Sequence, residues 1–162
     1  MQWEYLAFAV LAIGLVLLLI SAIWNFRIKQ HQQNAQFQAL CRSTGLKMDL
    51  FEFFSNRVIG IDYQQGAVLY MQFIGDHYRH HILLIEELDE CSLEKQFNEN
   101  RIIEGINLLC RLKDQSLLRM GFYSGKTDHH LDATQLVRKA AYWKRKINML
   151  KQFEELSLEQ YE

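Results

Sequence analysis

Proline is absent from this 162-residue chain, and glycine is scarce, with 8 residues. Disordered and low-complexity segments are enriched in both residue types, so the composition argues against a long disordered tail. An excess of charge of one sign is also missing, because 18 Lys and Arg stand against 19 Asp and Glu. The formal net charge of -1 gives no global bias toward nucleic acid or other polyanions.

Cysteine is limited to three widely spaced residues, Cys41, Cys91 and Cys110. No C-x-x-C pair occurs, which argues against zinc-finger and thioredoxin-type motifs. An odd number of thiols fits a reducing compartment better than a disulfide framework. We expect Cys91 and Cys110 to be buried strand residues, because free cysteine is among the most buried residue types.

The chain also lacks motifs for catalysis and phosphate binding, since it contains no G-x-S-x-G, no P-loop and no H-E-x-x-H. His77, His80 and His81 suggest a metal site, which His129 and His130 could join. On a strand, however, His80 and His81 point to opposite faces, and a metal needs three or four convergent ligands. The sequence therefore predicts no catalytic, metal or cofactor site, and an enzyme is the least favoured interpretation.

The longest apolar run is WEYLAFAVLAIGLVLLLISAIW, residues 3–24, with no charge between Glu4 and Arg27. About 20 helical residues cover the roughly 30 Å of a bilayer's hydrocarbon layer. A signal peptide is the competing interpretation, but no basic residue precedes the run and no clear A-x-A-like site ends it. The run predicts a transmembrane helix over 3–24.

The residues that flank this run predict its orientation. Arg27 and Lys29 follow the run, whereas only Glu4 precedes it. The positive-inside rule then places the N-terminus outside and the C-terminal domain in the cytoplasm, as in a single-pass inner-membrane protein. With the aromatic residues that prefer the membrane interface, the predicted anchor residues in contact with the lipid bilayer are Trp3, Tyr5, Trp24, Arg27 and Lys29.

Residues 25–45 contain good helix formers and end at Gly45, which predicts a juxtamembrane helical stalk that stops there. Phe37, Leu40 and Cys41 form a small apolar patch near its end. The patch could dock a globular domain or self-associate, but it is too short for a coiled coil, and a polar stalk is the simpler interpretation.

From residue 57 onward the apolar period changes to two, which predicts β-strands. Residues 57–63 and 67–74 alternate around a Gln64-Gln65-Gly66 turn and form a predicted hairpin. Further strands are predicted over 78–88, 89–97, 105–114 and 117–124. Short strands joined by tight turns suggest an antiparallel sheet that curls into a small barrel or sandwich.

The last element returns to a helical period. Asp132 and Gln135 form a start similar to a capping box, and apolar residues recur every three or four positions from Leu136 to Leu150. We expect this amphipathic helix to close the open end of the sheet with Trp143 inside. The predicted structural core includes Ile59, Ile61, Leu108, Cys110, Leu136, Trp143 and Ile147.

The segments RVIGIDYQQGAVLYM, INLLCRLKD, LLRMGFYS and AAYWKRKINML resemble a recurring type of bacterial single-pass membrane protein with a cytoplasmic pleckstrin-homology-like (PH-like) domain. The resemblance implies an α+β fold in which a curled antiparallel sheet of about six or seven strands is closed by the C-terminal helix. A seventh strand would come from residues 46–55 or from a split within 78–97. The predicted organisation is a transmembrane helix over 3–24, a stalk over 25–45, a PH-like domain over 46–153 and an acidic tail over 154–162.

A PH-like domain implies a binding or scaffolding module, and we expect a protein partner at the membrane rather than nucleic acid. An edge strand and the groove beside the C-terminal helix suit strand addition or peptide capture. One alternative is an accessory subunit that packs in a membrane complex through Gly14 and Ser21 of its transmembrane helix. The other is recognition of anionic lipid headgroups by basic residues of the last helix, namely Arg138, Lys139, Arg145 and Lys146.

Overall fold

The computed structural model describes the backbone of residues 2–159 and the side chains of residues 14–24, 27–154 and 156. Within these residues the chain forms a long helix, seven strands, a short 3-10 helix and a second long helix, in that order. The chain divides into two compact units, the first ending at Gly45 and the second beginning at Leu46.

The first unit is one helix, α1, which spans Gln2–Thr44. It ends because Gly45 adopts a φ of 73°, a left-handed conformation that glycine takes without steric cost. The hydroxyls of Ser43 and Thr44 both donate to the Leu40 carbonyl, at 2.9 and 2.8 Å. These bonds satisfy a backbone acceptor in the last turn, where intrahelical donors run out.

The structure corrects the prediction of a transmembrane helix over 3–24. Among the residues that it describes, no helix is long and apolar enough to cross a membrane. The predicted single-pass, inner-membrane localisation depended on that helix and is wrong on the same finding.

The second unit begins with a four-stranded antiparallel sheet in the order β1-β2-β3-β4. Its strands are β1 Leu50–Phe54, β2 Arg57–Asp62, β3 Ala67–Ile74 and β4 His77–Leu84. Gly66 and Gly75, with φ of 56° and 60°, supply the left-handed positions in the two turns that flank β3. Strand β2 is buried on both faces, whereas the first six residues of β4 are exposed.

A three-stranded antiparallel sheet in the order β5-β6-β7 follows. Its strands are β5 Leu88–Phe97, β6 Ile103–Leu112 and β7 Leu117–Ser124. The pairing of β5 with β6 shifts register at both ends, and the pairing of β6 with β7 shifts between Ile106 and Asn107. Such irregularities increase local twist and bend the strands around the core.

The prediction of one curled sheet closed by the C-terminal helix is wrong, because the strands form two sheets that are not closed on each other. The expected third strand stops at Leu84, and the 3-10 helix Ile85–Glu87 separates β4 from β5. There the Ile85 amide donates to the Gly66 carbonyl, and the Lys113 amide donates to the Glu87 carbonyl. Because the backbone groups of the 3-10 helix bond to residues outside β4 and β5, they do not join these two strands, and β4 and β5 belong to different sheets. The seventh strand, which the sequence placed either in residues 46–55 or in a split within 78–97, is β1.

The second helix, α2, spans Ala133–Glu159 and therefore continues past residue 154, where the acidic tail was expected to begin. Asp132 Oδ1 accepts the Thr134 amide at 2.8 Å and caps the helix. The inner stripe of α2 is buried against residues of both sheets, so one helix covers a core that the two sheets share. This inner stripe consists of Leu136, Ala140, Trp143, Ile147 and Leu150.

Replacing the central residue of the inner stripe should destabilise the fold strongly. Trp143 is fully buried, so Trp143→Ala removes its packing and leaves a cavity, which lowers the free energy of unfolding by about 3–5 kcal/mol. The neighbouring Tyr142 is 37% exposed and packs edge-on against Trp143, so Tyr142→Ala should lower the free energy of unfolding by only about 1–2 kcal/mol. Guanidinium unfolding of the full chain, followed by circular dichroism, measures both. Equal losses for the two variants would contradict this placement of α2.

Candidate functional site

Helix α2 carries a second apolar stripe on a face that the core does not cover. Tyr142, Met149, Phe153 and Leu156 fall within about 60° of one another around the helix, and their mean direction lies about 120° from the inner stripe. Their side chains are 37%, 47%, 65% and 59% exposed. We call these four residues the outer stripe.

A cavity of about 480 Å³ lies beside the outer stripe, between β1 and α2. Leu50, Phe51 and Tyr142 supply its apolar lining, and Phe51 is 43% exposed. Tyr142 belongs to both features, so the outer stripe begins at the cavity. We call this cavity the α2 groove.

One carboxylate lines the α2 groove, and it is already occupied by groups of α2. Glu52 Oε2 accepts the indole N–H of Trp143 at 2.9 Å, and Glu52 Oε1 forms an ion pair with the ammonium of Lys139. These contacts join β1 to α2 across 91 and 87 residues of sequence. Glu52 therefore positions the two walls of the groove and balances the charge of Lys139.

The rim of the groove is cationic. Arg138 and Arg145 are exposed, and the Lys146 ammonium lies 5.7 Å from the centre of the Tyr142 ring, in a cation–π arrangement. All three lie within about 60° of Tyr142 around the helix. No Asp or Glu occurs in the sequence from Ala133 to Phe153, so α2 provides no acidic side chain to this part of the surface.

A second cavity, of about 420 Å³, lies between the two sheets at their edges. One wall comes from residues 80–83 of β4, and the other from Leu112 and residues 116–118 at the β6–β7 turn and the start of β7. Two of the histidines considered as metal ligands, His80 and His81, are in this wall. Among the described residues no group of three or more His, Cys, Asp and Glu could hold a metal ion.

The structure separates the sequence-predicted site residues into three groups. Among the anchor residues, Trp24, Arg27 and Lys29 are exposed on α1, and the side chains of Trp3 and Tyr5 lie outside the described residues. The four cations proposed for lipid contact lie on α2 beside the groove. The predicted core residues are all buried in the second unit, namely Ile59, Ile61, Leu108, Cys110, Leu136, Trp143 and Ile147.

A buried ion pair holds the segment that leads into α2. The Arg57 guanidinium donates to Asp128 Oδ2 at 2.9 Å, and the two side chains are only 3% and 4% exposed. The same oxygen accepts the Ser124 amide, also at 2.9 Å. The pair thus links the first residue of β2 to the end of β7 and the loop before α2, which places the helix over the core.

The buried thiols form a second internal contact. Cys91 and Cys110 stand opposite each other on β5 and β6, and the Cys110 thiol donates to Cys91 Sγ at 3.5 Å. This bond lowers the pKa of Cys91 and raises the pKa of Cys110. Both side chains are at most 2% exposed, so neither reaches the surface that a ligand would meet.

The sequence interpretation missed the outer stripe and Glu52. The stripe had a detectable signal, because residues 149, 153 and 156 keep the helical spacing that the inner stripe also shows. Glu52 had none, since its partners lie about ninety positions away in sequence and only folding brings them together.

Comparison of the chain with models of protein families, with curated protein sequences and with solved structures gives no match. The resemblance to membrane proteins with a PH-like domain therefore stays a prediction. Among the described residues, the α2 groove and the cavity at the sheet edges are candidate binding surfaces.

Breaking the buried ion pair should destabilise the second unit. Asp128→Asn leaves the Arg57 guanidinium buried without its counter-charge, which lowers the free energy of unfolding by about 3–5 kcal/mol. Asp76→Asn, in the exposed turn between β3 and β4, is the matched control and should change the free energy of unfolding by less than about 0.5 kcal/mol. Guanidinium denaturation near pH 7 compares the two. A loss for Asp128→Asn as small as that of the control would show that the pair does not hold the fold.

Proposed function

We propose that the second unit is a protein-binding module whose α2 groove and outer stripe receive an amphipathic helix of a partner protein. The observation that carries the proposal is the outer stripe, in which four large apolar side chains are exposed along one face of α2. Single exposed apolar residues are common on protein surfaces, but a contiguous set beside a cavity marks an interaction surface.

The length and shape of this surface favour a helix as the bound element. From Tyr142 to Leu156 the outer stripe extends about 21 Å, which is about four helical turns. A partner helix lying along it would place its apolar face on the stripe and insert a side chain into the α2 groove beside Phe51 and Tyr142. A contact of this kind requires no change in the inner stripe, which stays on the core.

The charge of the rim favours acidic residues on the flanks of the partner helix. Arg138, Arg145 and Lys146 lie along the stripe, and the one carboxylate of the groove is paired with Lys139. Complementary charge speeds association and discriminates against basic partners. Catalysis is less favoured, because Glu52, the one carboxylate in the described lining of the groove, is already paired with Lys139 and Trp143.

Recognition of anionic lipid headgroups is the second candidate, since Arg138 and Arg145 are exposed and no acidic residue of α2 lies near them. Basic residues near an anionic surface each contribute about 1 kcal/mol to binding. The apolar groove distinguishes the two candidates, because headgroup contact by cations alone would not need it. Binding of the full chain to anionic vesicles is therefore measured separately from binding to a peptide.

Two negative charges placed in the outer stripe should strongly weaken binding of a helical partner. The probe is a fluorescein-labelled amphipathic peptide of four helical turns, with leucine on one face and glutamate on the flanks. The wild-type full chain should bind it, and the double variant Met149→Glu/Phe153→Glu should weaken binding by at least about 100-fold, because apolar contact is lost and carboxylates repel. Fluorescence anisotropy at low salt measures the affinity.

Two variants control for the added charge and for the loss of an exposed apolar residue. Gln152→Glu adds a carboxylate beside the stripe, and Phe97→Glu removes a 57% exposed ring at the last residue of β5, which belongs to neither the outer stripe nor the lining of the α2 groove. Each should keep the affinity within about threefold of wild type. The proposal fails if Phe97→Glu weakens binding as much as the double variant. It fails in favour of lipid recognition if anionic vesicles bind the chain and the peptide does not.

A further inference from the structure

The cavity of about 420 Å³ lies along strand edges rather than on a sheet face. Consecutive residues of a strand point to opposite faces, yet four consecutive residues of β4, 80–83, line this cavity. Leu117 and Leu118 of β7 are consecutive as well. A space that both alternating sets of side chains border must lie at the edge of the strand, and β4 and β7 are indeed terminal strands of their sheets.

Strand β4 is long, regular and accessible. Its register with β3 runs without a bulge through eight pairs, from Ala67 with Leu84 to Ile74 with His77. Its first six residues are exposed, and it contains no proline. Edge strands in proteins are commonly blunted by bulges, proline or short length, and β4 has none of these. Its outer edge therefore presents a straight row of backbone donors and acceptors.

The side chains around this edge define what it can accept. Leu112, Leu117 and Ile82 give the cavity an apolar wall, and Leu117 and Ile82 are 57% and 37% exposed. Arg79 on β4 adds positive charge, whereas Arg119 on β7 is already in an ion pair with Glu94 at 3.7 Å. No Asp or Glu occurs in residues 77–85 or 115–127, the two stretches that contain these strands.

We propose that the outer edge of β4 captures an extended, acidic segment of a partner protein as an added strand, with one apolar side chain of that segment in the cavity beside Leu117. Backbone hydrogen bonds supply the affinity, and the cavity and Arg79 supply the specificity. The site is separate from the α2 groove, because the two cavities share no lining residue.

A second copy of this chain is the less suitable occupant. Two β4 edges paired with each other would bring the Arg79 side chains of both copies together, with no carboxylate in either strand to compensate. Like charges on neighbouring strands destabilise the pairing. An acidic segment instead places carboxylates against these cations, which favours a partner of different sequence.

The test uses three blocked, fluorescein-labelled peptides of eight residues that alternate glutamate and valine. The first has an ordinary backbone, the second carries N-methyl groups on every valine, and the third carries them on every glutamate. The N–H groups of a strand alternate between its two edges, so strand addition predicts that one methylated peptide binds the full chain and the other does not. Binding of the unmethylated peptide should slow amide hydrogen exchange in residues 77–84.

Two exposed cations provide a matched pair of variants. Arg79→Glu should weaken binding of the unmethylated peptide by about fivefold or more, whereas Lys95→Glu, the same change on β5, should leave it unchanged within about twofold. The proposal is overturned if the two methylated peptides behave alike, or if the unmethylated peptide does not bind. Slow exchange of the β4 amides in a dimer without peptide would overturn it in favour of a second copy.

Discussion

The burial of the inner stripe of α2 is the constraint on which the rest of the second unit depends. Neither sheet is closed, and each has apolar residues that need cover, Ile59 and Ile61 in one and Ile106 and Leu108 in the other. Trp143 lies in the middle of the stripe and reaches the same core cluster as all four. The helix therefore substitutes for strand pairing between the sheets, and its removal would expose the core that they share.

Polar contacts determine where α2 lies over the core, whereas burial of the inner stripe supplies the hydrophobic stability. Glu52 joins β1 to Trp143 and Lys139, and Asp128 joins the loop before α2 to Arg57. Burying polar and charged groups is costly unless each is paired, so these contacts select one placement of α2 among the many that an apolar stripe would allow. The same placement forms the walls of the α2 groove, so stability and the candidate binding surface have one origin.

The two proposed binding surfaces are parts of the fold that no other element covers, namely an exposed face of α2 and the outer edge of β4. A helix buried on one side presents its other faces to solvent, and on one of these faces α2 carries the apolar outer stripe beside its cations. Two sheets that are not closed on each other leave strand edges, and β4 is an eight-residue edge strand whose pairing with β3 contains no bulge. The surfaces differ in what they recognise, since one fits side chains of a helix and the other fits the backbone of a strand.

Local pattern in the sequence was sufficient to predict the β-strands from residue 57 onward, helix α2 and its buried stripe, because periods of two and 3.6 follow from backbone geometry alone. It also predicted a transmembrane helix, which the described residues do not support. Pattern could not determine that the strands form two sheets, that Glu52 meets Lys139, or that β4 and β7 border one cavity. Those features depend on contacts between residues distant in the chain, such as the Ile85 amide with Gly66, and only the tertiary structure decides which partner each backbone and side-chain group finds.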